Sequence, residues 1–162
     1  MFALTFDGLE EASARLEAYR AALATALDAK AAELAATLFD LVQNDKLSGG
    51  VLNLRSGALR DSIAANVSAD ADGVVASVDS VGDLKYAAIQ EFGGKTSAHE
   101  ILPVKAQALA FVSGGAQRFA RRVEHPGSLI PERSYLRSSL DDMRDEILGS
   151  LADAADDAWE RA

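Results

Sequence analysis

The sequence predicts an α+β fold: a small, mainly antiparallel sheet covered by a long N-terminal helix, a short middle helix and a C-terminal helix. Three observations carry this expectation. Gly8 to Lys46 is alanine-rich and repeats its apolar residues at helical spacing. Two short segments on either side of Asp72-Gly73 alternate apolar and polar residues. The stretch from Tyr135 to Ala162 carries one apolar stripe that advances by threes and fours.

The first helix rests on Leu9, Leu16, Tyr19, Leu23, Leu27, Leu34, Leu38 and Leu41, with Ala12 and Ala31 filling the gaps and no proline or internal glycine to stop it. A helix of about 35 residues would be roughly 50 Å long at 1.5 Å per residue, longer than a small core can cover. One end should then pack on another element or subunit, unless the helix breaks near Asp28 to Lys30. Leu47 to Gly57 is rich in Ser, Gly and Asn and reads as a flexible loop that orders against a partner.

Ser62–Asp70 places Ile63, Ala65, Val67 and Ala69 on one face, and Val74–Ser80 does the same with Val74, Ala76 and Val78, so the Asp72-Gly73 pair predicts a β-hairpin. Asp83 to Phe92 has a helical pattern stopped by Gly93-Gly94. Ala106–Val112 and Arg118–Val123 flank Ser113-Gly114-Gly115 and predict a second hairpin. Pro131 precedes the last helix, whose stripe is Leu136, Leu140, Met143, Ile147, Leu151, Ala154 and Ala158. A chain of 162 residues suits one domain. Its expected parts are the long helix (1–46), the loop (47–57), the sheet with its short helix (58–134) and the C-terminal helix (135–162).

Charge narrows the function. Lys plus Arg number 16 and Asp plus Glu 25, a net of −9 at neutral pH, which argues against general binding to a phosphate backbone. Ile101–Ser134 reverses the trend: Lys105, Arg118, Arg121, Arg122 and Arg133 face only Glu124 and Glu132, a net of +3. A basic segment inside an acidic chain suits head-to-tail association between copies, although a solvated strand face has the same composition. The lack of cysteine removes disulfide scaffolds, thiol nucleophiles and Cys-ligated zinc and leaves the redox compartment open. With no run of about 18 apolar residues and no basic-then-apolar leader at Met1–Leu9, a soluble, unsecreted protein without a membrane partner is expected.

Catalytic signatures are sparse. His99 and His125 are the only histidines, no HExxH or GxSxG motif occurs, and Gly49-Gly50 and Gly114-Gly115 lack the setting of a phosphate loop. No catalytic residue, cofactor or metal ligand is assigned. Tyr86–Gly93 puts aromatics at both ends of a short helix, and His125-Pro126-Gly127 reads as a turn that leads to Pro131 and Tyr135-Leu136.

Five strings then stand in order: Leu54–Ile63, Tyr86–Gly93, Ile101-Leu102-Pro103 running into Ala108–Phe111, Val123–Gly127, and Pro131–Arg137. Together they resemble the tailed-bacteriophage tail-completion, or head-to-tail joining, family, whose members are often labelled minor tail component or virion morphogenesis protein. Tyr135 stands where many relatives carry Phe, which leaves an anchor role intact.

The resemblance covers about Leu54 to Leu140 and implies a non-enzymatic virion protein made in the bacterial cytoplasm. It implies a homo-oligomeric ring of about six subunits at the tail–neck junction, between the tail tube or tail terminator and the head connector. DNA would pass through the lumen without specific binding. On this reading Arg118, Arg121 and Arg122, with Arg55 and Arg60, meet a neighbouring subunit or partner. Tyr86, Phe92, Gly93, Phe111, Pro126, Gly127, Tyr135 and Leu136 are structural anchors. A regulator or inhibitor from a mobile element and a small hydrolase using His99 or His125 are the alternatives.

Overall fold

The computed structural model describes residues 8–70 and 73–162 and has the expected α+β composition. Helix α1 (Leu9–Leu41) runs unbroken through Asp28–Lys30 and continues into a wider π-helical segment, Val42–Gly50, which loses helical geometry at Ser48 and Gly49. After a short α2 (Ala58–Asp61) come β1 (Ile63–Ala69) and β2 (Val74–Ser80), then α3 (Lys85–Phe92). Six short strands follow: β3 (Gly94–Lys95), β4 (His99–Ile101), β5 (Leu109–Ser113), β6 (Ala116–Ala120), β7 (Val123–His125) and β8 (Leu129–Ile130). The chain ends in α4 (Arg137–Asp142) and α5 (Arg144–Arg161).

The strands do not merge into the single sheet expected. They form four separate two-stranded antiparallel ladders, β1–β2, β3–β8, β4–β7 and β5–β6. The chain divides into two compact units, one made of the residues up to Ala87 with Ser134–Ala162, the other of Ala88–Arg133.

In the first unit α1 packs along α5 and across the base of the β1–β2 hairpin. Tyr19 meets Trp159 edge to face at 5.1 Å between ring centroids, and Arg15 lies over the same indole at 4.7 Å. This places the C-terminus of α5 beside the N-terminal half of α1, so the two helices run antiparallel. Every residue from Gly8 to Ala18 is exposed, Leu9 and Leu16 among them, so the first turns of α1 extend past the apolar cover. Of the residues expected to begin the long helix, 1–7 lie outside the described residues, as does Asp72 of the hairpin turn; Asp70 and Gly73 close that turn from either side, Asp70 N–H donating to the Gly73 carbonyl at 2.9 Å.

The core consists of Val42, Leu47, Leu52, Ile63 and Tyr135, supported by Leu38, Phe39, Val51, Leu59, Val78 and Leu136. The reading of 47–57 as a flexible loop is narrowed by this: residues 53–57 are irregular and mostly exposed, whereas the part before them is packed. Leu47 and Leu52 are both buried, and the N–H groups of Val51 and Leu52 donate to the Lys46 carbonyl at 3.0 and 2.8 Å. Ser and Gly content signals the kink at Ser48-Gly49 but misses the leucines on either side, whose burial holds the segment. Lys46 Nζ also reaches Asp142 Oδ2 at 2.5 Å, tying this segment to α4.

The C-terminal stripe is interrupted. Met143 adopts φ −90°, ψ −1° and separates α4 from α5. Just before it Ser139, fully buried, donates Oγ–H to the Tyr135 carbonyl at 2.6 Å, and Ser138 donates to the Ser134 carbonyl at 2.6 Å. Such back-bonding competes with the backbone ladder and bends helices. Ser139 therefore takes the inward place expected for Leu140, which is 51% exposed, while Met143, Ala154 and Ala158 are buried.

Truncating Tyr135 to Ala is expected to cost about 3 to 5 kcal/mol, because the ring is 1% exposed. Phe119→Ala, at a position 67% exposed, should change stability by less than about 0.5 kcal/mol. Urea unfolding of the two variants against wild type checks both values.

Candidate assembly surface

After the last residues of α3, the second unit is a single interrupted ribbon. Gly94 pairs with Ile130, Lys95 with Leu129, His99 with His125 and Ile101 with Val123, so one register runs through both lower ladders. Between them Thr96 N–H donates to the Ser128 carbonyl at 2.9 Å and Ser128 N–H donates to Thr96 Oγ1 at 2.7 Å. Beyond Ile101 one side carries the extra residues 102–108. The ribbon then resumes as β5–β6, from Leu109 opposite Ala120 to Ser113 opposite Ala116. Gly114 (φ +62°) and Gly115 (φ +75°) close it with the two left-handed residues of a type I′ turn.

Gly127 and Gly93 are required by this geometry. Gly127 has φ +84°, and a Cβ there would stand 2.1 Å from the Thr96 carbonyl oxygen; at Gly93, φ +67°, it would stand 2.7 Å from Glu132 N. The His125-Pro126-Gly127 stretch, expected as a turn, is the joint that carries one ribbon strand from β7 to β8. Pro126 is exposed at that joint.

Side-chain burial in this unit is unusual. No hydrophobic residue between Ala88 and Arg133 is fully buried; Glu91 is the one residue there that is. Three expected structural anchors are not buried: Phe92 is 62% exposed and Phe111 38%, and in the first unit Tyr86, at the start of α3, is 41% exposed. A two-stranded ribbon has only its own two faces to offer and cannot enclose a core between them. Val104, Val112, Phe119 and Leu129 are more exposed still, at 95, 75, 67 and 81%. Tyr135 is buried, and Leu136 half-buried against the same cluster.

Of the arginines, Arg118 lies on β6 opposite Phe111, and Arg121 and Arg122 follow in the bend between β6 and β7. All three are exposed. Arg122 has a partner in its own chain, Glu100 Oε1 at 3.2 Å. That contact offsets a directly opposed Glu100–Glu124 pair across β4–β7, where like charges repel. Arg118 and Arg121 make no ion pair among the described residues. Arg55 and Arg60 belong to the first unit: Arg55 is exposed, and Arg60 is half-buried on α2 with its carbonyl accepting from Gln43 Nε2 at 2.8 Å.

His99 and His125 stack across the ladder with centroids 5.0 Å apart and planes 25° from parallel. Gly127 N–H donates to His125 Nδ1 at 3.1 Å, so the neutral ring carries its proton on Nε2. His99 Nδ1 lies 3.1 Å from the Ser97 carbonyl oxygen, which fixes the opposite tautomer. The pair forms a polar rung of the ribbon, and no group of three or more His, Asp or Glu able to enclose a metal ion occurs among the described residues. No helix of the described residues is long and apolar enough to cross a membrane.

Val112, Phe119 and Leu148 were not identified by the sequence patterns. A half-buried strand alternates, whereas Leu109-Ala110-Phe111-Val112 is apolar on both faces, and that continuous run was the available signal. Comparison of the chain with protein-family models, with curated proteins and with solved structures gives no match.

Gly127→Ala is expected to loosen the joint. The left-handed backbone alone costs about 1 to 3 kcal/mol, so hydrogen exchange at the Thr96 and Ser128 amides should accelerate about tenfold or more. Amide exchange followed by NMR checks this.

Proposed function

We propose that the chain is a non-enzymatic virion subunit that completes a bacteriophage tail and joins it to the head connector. It does so as a ring of about six copies whose lumen passes DNA without specific contacts. It acts at the tail–neck junction after assembly in the bacterial cytoplasm, with the tail tube or tail terminator on one side and the connector on the other. The observation that carries the reading is the ribbon Ala88–Arg133, which has no fully buried hydrophobic side chain and leaves Val104, Val112, Phe119 and Leu129 to solvent. Apolar surface of that kind belongs against a partner, and an isolated two-stranded ribbon is marginal in water. The uncovered first turns of α1 favour the same conclusion.

The acidic net charge of −9 suits a lumen that repels phosphates at close range. The five strings that resemble the tail-completion family supply the specific role, and the exposed ribbon supplies a physical reason for assembly.

Light scattering over a concentration range, with electron micrographs of any large species, should give a ring of about six subunits with an open centre. A monomer that also fails to bind the tail tube of its own particle would overturn the proposal. The assembled ring should show no measurable binding to duplex DNA at moderate salt, read by fluorescence anisotropy.

A further inference from the structure

The ribbon's exposed apolar end needs a surface, and the first unit of a second copy offers one of matching character. We propose that the β5–β6 end of the ribbon in one copy docks on the outward face of α5 in the next. This rests on the ring reading and adds to it the identity of the two faces that meet.

On the ribbon side the register places Phe119 opposite Ala110 and Val112 opposite Gln117, so Phe119 and Val112 share one face of the hairpin. Both are largely exposed, and Arg118 and Arg121 bracket Phe119 in sequence with no ion pair among the described residues. The segment from Ile101 to Ser134 has a net charge of +3.

On the helix side Met143, Ala154 and Ala158 are buried and define the inner face of α5. At 100° per residue the opposite face is Asp145, Gly149, Ala152 and Asp156, all exposed, with Leu148, 60% exposed, and Trp159, which packs on Tyr19 of α1, along one margin. Tyr135–Ala162 holds 3 basic and 8 acidic side chains, so this face is an apolar patch within an acidic field.

Gly149 is the telling residue. Glycine inside a helix weakens it relative to alanine, and a Cβ added here would meet nothing within 4 Å, so the chain's own packing does not require it. Beside Leu148 and Ala152 it leaves a shallow seat where a flat strand backbone can lie close to the helix. Phe119 and Val112 fill such a seat; Arg121, in the bend beyond β6, reaches the carboxylates at its rim, and Arg118, on the other face of the strand beside Phe111, adds to the positive field that the acidic helix attracts.

Symmetry and charge both favour this pairing over its competitor. Edge-to-edge addition of two ribbons would bring together two segments of net charge +3, which repel. Ribbon on helix joins two different faces, and an interface of unlike faces is the kind that closes a ring.

Two charge-reversed proteins test this, one carrying Arg118→Glu with Arg121→Glu, the other Asp145→Arg with Asp156→Arg. Each alone should lose assembly, its molar mass by light scattering falling about sixfold to that of a monomer, while its circular dichroism stays that of wild type. An equimolar mixture should recover the ring, because each reversed ribbon meets a reversed helix and each native ribbon a native one. Should the Glu forms not fold, Arg118→Gln with Arg121→Gln should still weaken assembly, and its retention of full assembly would count against the pairing.

Wild-type rings with both variants still assembling would overturn the pairing and leave the ring. Variants that dissociate but do not recover on mixing would overturn it too. A wild-type chain that stays monomeric overturns self-docking, and the joining role is then decided separately by binding to the tail tube.

Discussion

Three stretches of chain meet at Tyr135: the kinked segment after α1 through Val42, Leu47 and Leu52, the start of the hairpin through Ile63, and the approach to α4 through Tyr135 itself. Its hydroxyl also donates to the Ala87 carbonyl at 3.5 Å, the residue at which the first stretch of the first unit ends. Because the remaining buried residues of α1 and α5 are mostly alanines, this cluster supplies the bulk of the large apolar side chains removed from water. The orientation of α5 against α1 depends on it at one end and on the Tyr19–Trp159 contact at the other.

The helices were legible in the sequence because their periodicity is long and uninterrupted. Leu9–Leu41 and the inward residues Met143, Ile147, Leu151, Ala154 and Ala158 follow directly from steps of three and four. Three features were not legible, for separate reasons. Leu47 and Leu52 are two isolated leucines in a Ser- and Gly-rich stretch, too few to register as a pattern. The α4–α5 break depends on a hydroxyl of Ser139 turning inward, which no hydropathy pattern records. The exposure of Phe92, Phe111 and Phe119 was hidden because periodicity states which residues share a face and is silent on whether anything covers that face.

The same limit applies to the arginines. The basic segment is visible in the charge count, and its members differ in the fold: Arg122 pairs with Glu100, whereas Arg118 and Arg121 make no ion pair among the described residues. A segment net charge is thus partly consumed inside its own ribbon, and the share left for a partner is set by cross-strand pairing. The apolar residues divide similarly, those of the first unit largely spent on its core and those of the ribbon left over.

The first unit is discontinuous, being built from the residues up to Ala87 and from Ser134 onward, with the whole ribbon synthesised between them. On the ribosome the core therefore waits for Tyr135 until the ribbon has already emerged. The chain passes through an interval in which its stickiest strands are out and its stabilising cluster is incomplete, the circumstance in which nascent chains need shielding. The closing turn of two glycines reduces the exposure during that interval, since a type I′ hairpin forms locally and quickly and pairs the facing edges of β5 and β6 with each other before a neighbouring nascent chain can.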